Sequence, residues 1–237
     1  MRPAALVTGA AKRVGKGIAL SLAEYGFDIA LHYNHSEKEA RETAGQIRKL
    51  KRRCELFSAS LSDETEVENL IPEVRKAFPH FSLLINSAST FKKSKLLTSD
   101  ISSFEEDFAI NFKAHYLLSV QFAKHIRRGQ IVNMLETHIV HNRTERSHYL
   151  LSKKALAAFT NMAALEFAPN IRVNGIAPGY IMPPNASDKA YLARLKESIP
   201  LKRRGNVGFI AHAIRFLIEN EYVTGQVLFV DGGEHLL

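Results

Sequence analysis

Tyr149 and Lys153 stand four apart in the stretch YLLSK, within a segment of helical periodicity, so one helix face carries both. A phenol is a poor acid or base near neutrality, with an unperturbed pKa of about 10. An ammonium beside it favours the phenolate and brings that pKa down. Such a pair can give a proton to a carbonyl or imine while a hydride reaches the neighbouring carbon. Upstream, IVNMLETH (131–138) ends an apolar run on Glu136, with His138 just beyond. A carboxylate at the mouth of a buried strand is costly unless it is paired, solvated or in use. A salt bridge to Arg13, Arg143 or Arg146 would satisfy Glu136 without chemistry; a substrate rich in N–H donors would satisfy it with chemistry. His138 reads as a loop residue beside the site, and Cys54 as a small buried hydrophobe.

A second candidate site lies in LVTGAAKRVGKGIALSLAEYG, where a strand ends at Thr8, Gly9 opens a turn and a helix begins near Val14 and Gly15. Small residues let the backbone approach a pyrophosphate, which is favoured at a helix N-terminus. The strict G-x-G-x-x-G spacing is absent. The next strand ends in LHYNHS, with no acid where a binder of unphosphorylated NAD accepts from the ribose 2′-hydroxyl. His32, Asn34, His35 and Ser36 stand there instead, beside Tyr33, and Arg13 is available from the first turn. These donors suit a 2′-phosphate, which makes NADP (NADPH) the expected cofactor. Glu37 and Glu39 are the nearest acids, and both read as first-turn residues of the following helix.

The elements that must position these residues alternate. Buried-strand patterns occur at 4–8, 28–33, 54–59, 82–88, 130–135, 171–177 and 226–231, and helical periodicity at 15–25, 37–50, 63–77, 104–127, 148–168 and 206–220. Strands alternating with helices predict βαβ units, an α/β fold with a parallel sheet and helices on both faces. The 237 residues are expected to form a single domain, 1–237, with the segment 180–204 covering a site. One cysteine excludes an internal disulfide and a cysteine-rich zinc site, and no metal is expected. No apolar run suits a secretory leader or a membrane span, so a soluble cytoplasmic protein is expected. The net charge of +8 gathers at Arg48–Arg53, Lys92–Lys95 and Lys202–Arg204. These clusters are scattered, and no zinc-finger, helix-turn-helix or aromatic RNA-binding signature accompanies them, which argues against nucleic acid as the main partner.

Taken in chain order, TGAAKRVG, NSAS (86–89), Asn111 in AINFKAH, YLLSK, NGIAPG (174–179) and the final VDGG resemble the short-chain dehydrogenase/reductase family over nearly the whole chain. The resemblance implies a Rossmann doubly wound fold with a seven-stranded parallel sheet, a nicotinamide cofactor and a homotetramer with the helices at 104–127 and 148–168 and the C-terminal segment as contacts. It implies catalysis by Tyr149, Lys153 and Asn111, the last supporting a water relay behind Lys153, and a cofactor lining that includes Asn86, Ala88, Pro178 and Gly179. Three positions depart from the family pattern: Arg13 replaces a glycine of the first turn, Ser60 replaces the acid before Leu61 that contacts adenine, and Glu136 replaces the carbonyl-binding serine.

Arg13, the HY…S pattern of His32, Tyr33 and Ser36, and NSASTF ending in Phe91 resemble the pteridine-reductase branch, which uses an aspartate at the serine position. A pterin is flat and donor-rich. It could stack between Phe91 and the nicotinamide, with Ser89 and Arg13 at its polar edge and Glu136 accepting from its N–H groups. The expectation is therefore an NADPH-dependent reductase of a dihydropterin or dihydrofolate, with Tyr149 as proton donor. The alternatives are a carbonyl reductase for a small ketone, sugar or acyl substrate, and a non-catalytic NADP-binding sensor or scaffold.

Overall fold

The computed structural model describes residues 2–182 and 199–237. Seven strands form one sheet: β1 (Ala4–Val7), β2 (Asp28–Tyr33), β3 (Cys54–Ser58), β4 (Phe81–Asn86), β5 (Gly129–Met134), β6 (Ile171–Pro178) and β7 (Val227–Val230). Their order is β3-β2-β1-β4-β5-β6-β7 and every pairing is parallel. All seven fall where the apolar runs predict them.

Each strand is apolar on both faces because both faces are covered. Along β1, Ala4 and Leu6 point to one side and Ala5 and Val7 to the other, as the two-residue period requires. The first side packs against α3 (Glu64–Ala77), α5 (Ala114–His125) and α6 (Ser147–Glu166) through Leu70, Leu118 and Leu156. The second packs against α1 (Arg13–Tyr25), α2 (Glu37–Lys49) and α7 (Val207–Glu219) through Ile18, Ile47 and Ile214.

The helix expected over 104–127 is divided. α4 (Ile101–Phe108) starts earlier because Asp100 caps it, accepting from the Ser103 amide at 2.7 Å. A π-turn, Ala109–Lys113, then separates it from α5, with Asn111 buried at its centre. Such turns recur at functional sites.

The basic run at 48–53 is used locally. Arg48 donates to the Cys54 carbonyl, Arg52 to the Ala23 carbonyl, and Arg53 pairs with Glu55 while lying 4.6 Å over the Phe78 ring.

Strand order reverses between β1 and β4, and the crevice outside the carboxyl ends of strands at such a point is where open α/β sheets bind ligands. A cleft of about 800 Å³ opens there. Of the expected covering segment, Tyr180, Ile181 and Met182 line it, and 183–198 lies outside the described residues.

Candidate active site

The nucleotide end is shaped by main chain. Gly9 has φ 64°, and a Cβ on it would lie 2.9 Å from the Ala88 Cα, so the loops after β1 and β4 touch there because this residue is glycine. Thr8 adds a bridge: its hydroxyl accepts from the amides of Ser87 and Ala88 at 2.8 and 3.0 Å. Arg13, at the family's glycine position, has φ 56°, so the left-handed turn survives the change of residue. α1 begins at this turn with no side-chain cap and no acid in its first turn, leaving its leading amides facing the cleft. Both features fit a pyrophosphate.

Beyond that turn the lining is Lys12, Arg13, Tyr33, Asn34, His35 and Ser36, with Val14 and Leu61 contributing apolar surface. Among the described residues this end carries no acid. Glu37 belongs to the first turn of α2 and pairs with Arg41 at 2.5 Å. The donor set fits a 2′-phosphate.

Three nucleotide-end expectations are corrected. His32 is not a phosphate donor: it is buried, its Nδ1 accepts from the Gly9 amide at 3.1 Å, and its Nε2 donates to the Ala59 carbonyl at 3.0 Å. Burial lowers its pKa to about 4, so the ring is a neutral brace under the glycine turn. Asn86 is fully buried and points away from the cleft, donating to Asn133 at 2.8 Å and Ser119 at 3.1 Å. Ser60 does not line the cleft; its amide donates to Glu66 and its hydroxyl meets Ser62.

At the chemical end α6 presents Tyr149 and buries Lys153 beneath it, both on the face that packs against the sheet. The Lys153 Nζ donates to the Met134 carbonyl at 2.7 Å and lies 5.8 Å from the centre of the Tyr149 ring. Burial lowers the Lys153 pKa to about 8, with the Glu136 carboxylate opposing. The expected depression of the Tyr149 pKa is not found in the protein alone. Burial, reinforced by the Glu136 charge, pushes it well above the usual phenol range, with Arg146 opposing. The phenol is thereby held in the protonated form that a donor needs.

Asn111 ties the π-turn to the loop after β4. Its Oδ1 accepts from the Thr90 amide and the Ser89 hydroxyl, both at 2.9 Å, and its Nδ2 donates to Thr90 Oγ1 at 3.1 Å. That loop carries Phe91, whose ring meets Tyr149 edge-on at 4.7 Å, while the Arg146 guanidinium lies 3.8 Å over it. Phe91 is 54% exposed, a large apolar face beside the Tyr149 phenol.

Glu136 lines the cleft, but its partner is none of the three arginines considered. It precedes the 3₁₀ turn Thr137–Val140, and its two carboxylate oxygens accept from the His138 ring Nδ1 at 2.6 Å and the His138 amide at 3.1 Å. The other ring nitrogen lies 3.3 Å from Oε1 of Glu234, an ion-pair contact. Burial works against a charge on His138, but the two carboxylates outweigh it and raise its pKa to about 9, with Arg143 opposing. Glu234 starts the 3₁₀ turn that follows β7, Glu234–Leu236. Asp231 anchors that turn, accepting from the Thr137 hydroxyl at 2.5 Å and from the amides of Gly233 and His235. Pro178 and Gly179 complete the wall.

Sequence reasoning missed Thr8 and Glu234. Each signal was present, Thr8 closing the first strand and Glu234 following VDGG, but only the fold shows what they face.

Residues 9–235 match the family described as enoyl-(acyl carrier protein) reductase. The chain is 30% identical to the 3-oxoacyl-(acyl-carrier-protein) reductase FabG of Staphylococcus epidermidis, over the full length of both. Among solved structures it is similar to FolM alternative dihydrofolate reductase 1 from Brucella suis in complex with NADP, with 31% identity, a TM-score of 0.94, and 99% and 96% of the two chains covered. It is also similar to the acetoin dehydrogenase YohF from Salmonella typhimurium, with 31% identity, a TM-score of 0.91, and 100% and 97% covered.

Proposed function

The chain belongs to the short-chain dehydrogenase/reductase family, and from that premise we propose that this oxidoreductase uses NADPH to reduce a small donor-rich heterocycle, a dihydropterin or dihydrofolate. The observation that carries the reading is Glu136. The family's serine is a neutral partner for a neutral carbonyl; here a carboxylate stands on the cleft wall with both oxygens fixed by His138. A carboxylate accepts only, and each oxygen keeps capacity for a substrate N–H. Phe91 offers a flat face for stacking beside Tyr149. The likeness to a FolM alternative dihydrofolate reductase supports the same substrate class.

Lys12, Arg13, Asn34, His35 and Ser36 would hold the 2′-phosphate, and the Gly9 turn the pyrophosphate. NADPH bound there supplies the hydride. Tyr149 gives the proton, Lys153 lies behind it as the buried cation, and Asn111 fixes the loop that carries Phe91. A homotetramer is part of the proposal: Tyr116 on α5 and Leu151, Met162 and Leu165 on α6 are exposed apolar residues on the helices where the resemblance puts its contacts.

The second reading, reduction of a small ketone or acyl group, is favoured by the likeness to 3-oxoacyl reductases and an acetoin dehydrogenase. NADPH oxidation with a dihydropterin, a dihydrofolate, an acetoacetyl thioester and acetoin, with NADH as control, decides between them. Turnover with the heterocycles is expected. Turnover confined to ketones or thioesters overturns the pterin reading.

A further inference from the structure

The family's tyrosine and lysine explain the proton donor, and Glu136 explains a donor-rich substrate; neither explains why a histidine is clamped between Glu136 and a second carboxylate. The three side chains are mostly buried, with 17% of Glu136, 14% of His138 and 10% of Glu234 exposed, and all three line the cleft. An ionised carboxylate in such a place needs a cation or it takes up a proton. Were Glu136 protonated, one of its oxygens would become a donor and would repel the N–H groups it is meant to receive.

We propose that His138 and Glu234 are positioning residues for the substrate-facing carboxylate: Glu234, brought in by the turn after β7, pairs with the His138 ring, and His138 holds the Glu136 carboxylate oriented toward the cleft. This rests on Glu136 being the acid that receives the substrate.

The two contacts differ in kind: Glu136 is hydrogen-bonded to His138, whereas Glu234 faces the other ring nitrogen at 3.3 Å as an ion-pair contact without hydrogen-bond geometry. The His138 amide and ring fix both oxygens of Glu136, so the carboxylate cannot rotate without breaking a hydrogen bond. The turn bearing Glu234 is tied to the turn bearing His138 by the Thr137–Asp231 hydrogen bond and by the His141 ring on the His235 carbonyl at 2.8 Å. Gly179 leaves room for Glu234, since a Cβ there would come within 2.9 Å of its carboxylate. Of the other groups facing this cluster, Arg143 opposes a charge on His138, His141 lies ring to ring at 6.5 Å, and Tyr149 and Lys153 on α6 feel Glu136. Asp231 is already paired with His235. Glu136 and Glu234 are thus the anions that oppose those cations at His138.

The test compares wild type with Glu234→Gln and His138→Gln, reading kcat and KM for a dihydropterin from pH 6 to pH 10, the NADPH dissociation constant, and the NMR titration of the His138 ring. In Glu234→Gln the ring titrates at lower pH, and the alkaline rise of the dihydropterin KM moves down with it. In His138→Gln KM at neutral pH rises about tenfold, the worth of one hydrogen bond to a charged group. NADPH binding and kcat change less than KM does. A wild type that turns over the dihydropterin, with both variants keeping its KM and pH profile, overturns this inference alone. A wild type inert toward the dihydropterin overturns the substrate reading, and this inference with it.

Discussion

At the nucleotide end of the cleft His32 is buried, its pKa lowered to about 4, and committed to two main-chain groups; at the chemical end His138 stands between two carboxylates that raise its pKa to about 9. His32 lies near the end of β2 and His138 in the turn after β5, and each fixes a neighbouring element. What separates them is the partner. A carbonyl and an amide need a neutral ring with one donor and one acceptor, whereas two carboxylates need a ring with two donors. The nucleotide end is therefore shaped largely by backbone, with cations lining the cleft beside it. The chemical end is built from titratable side chains in contact with one another.

The largest expected effect tests the chemical end alone. Tyr149→Phe should lower kcat about a thousandfold, within the range of general acid catalysis, while the NADPH dissociation constant stays within about twofold of wild type, as equilibrium titration would read. Equal losses in both would show that the two ends are not separable. Glu136→Ser comes next. It removes the acceptor and leaves His138 facing Glu234 only, so KM for a dihydropterin should rise about tenfold or more with NADPH binding retained. A gain in ketone turnover with no change for pterins would favour the second reading.

Arg13→Ala tests the other end. The ratio of NADPH to NADH kcat/KM should fall about tenfold, the scale of one charge-assisted contact. An unchanged ratio would move 2′-phosphate recognition to Lys12, Asn34, His35 and Ser36.

The smallest effect is on stability, and the two histidines predict opposite signs. The His32 pKa is depressed to about 4 in the fold. Its contribution is present above the ordinary value of about 6.5 and is lost as pH falls from there through about 4. The His138 pKa is raised to about 9. Its contribution is complete below about 6.5 and is lost as pH rises through about 9. Thermal unfolding against pH should show His32→Gln flattening the acid limb and Glu234→Gln flattening the alkaline one. Both variants acting on the same limb would contradict the contrast.

The strands were legible because strands buried on both faces read as apolar runs. Tyr149 and Lys153 were legible because four residues make one helical turn, and the absence of an acid after His32 needed only the order of residues. The partners were not. His138 lies two residues from Glu136, a spacing with no periodic meaning in a 3₁₀ turn, and Glu234 reaches it from the far side of the sheet's last strand. For His32 the sequence offers two ring nitrogens without saying that Gly9 and Ala59 take them. The direction of the Tyr149 shift depends on depth: burial and the Glu136 charge raise it, and the group that opposes them is Arg146 rather than the lysine that was foreseen.

The place of β1 between β2 and β4 also bears on the order in which the protein folds. The contact that closes the nucleotide end joins Gly9 and Thr8 to Ser87 and Ala88, and β1 meets β4 only when residues 4–7 find residues 81–85. Pairings so distant in the chain form late and limit the rate. The first βαβ unit can thus assemble without a complete cradle, and a dinucleotide added to a refolding chain would stabilise the closing steps rather than start the process.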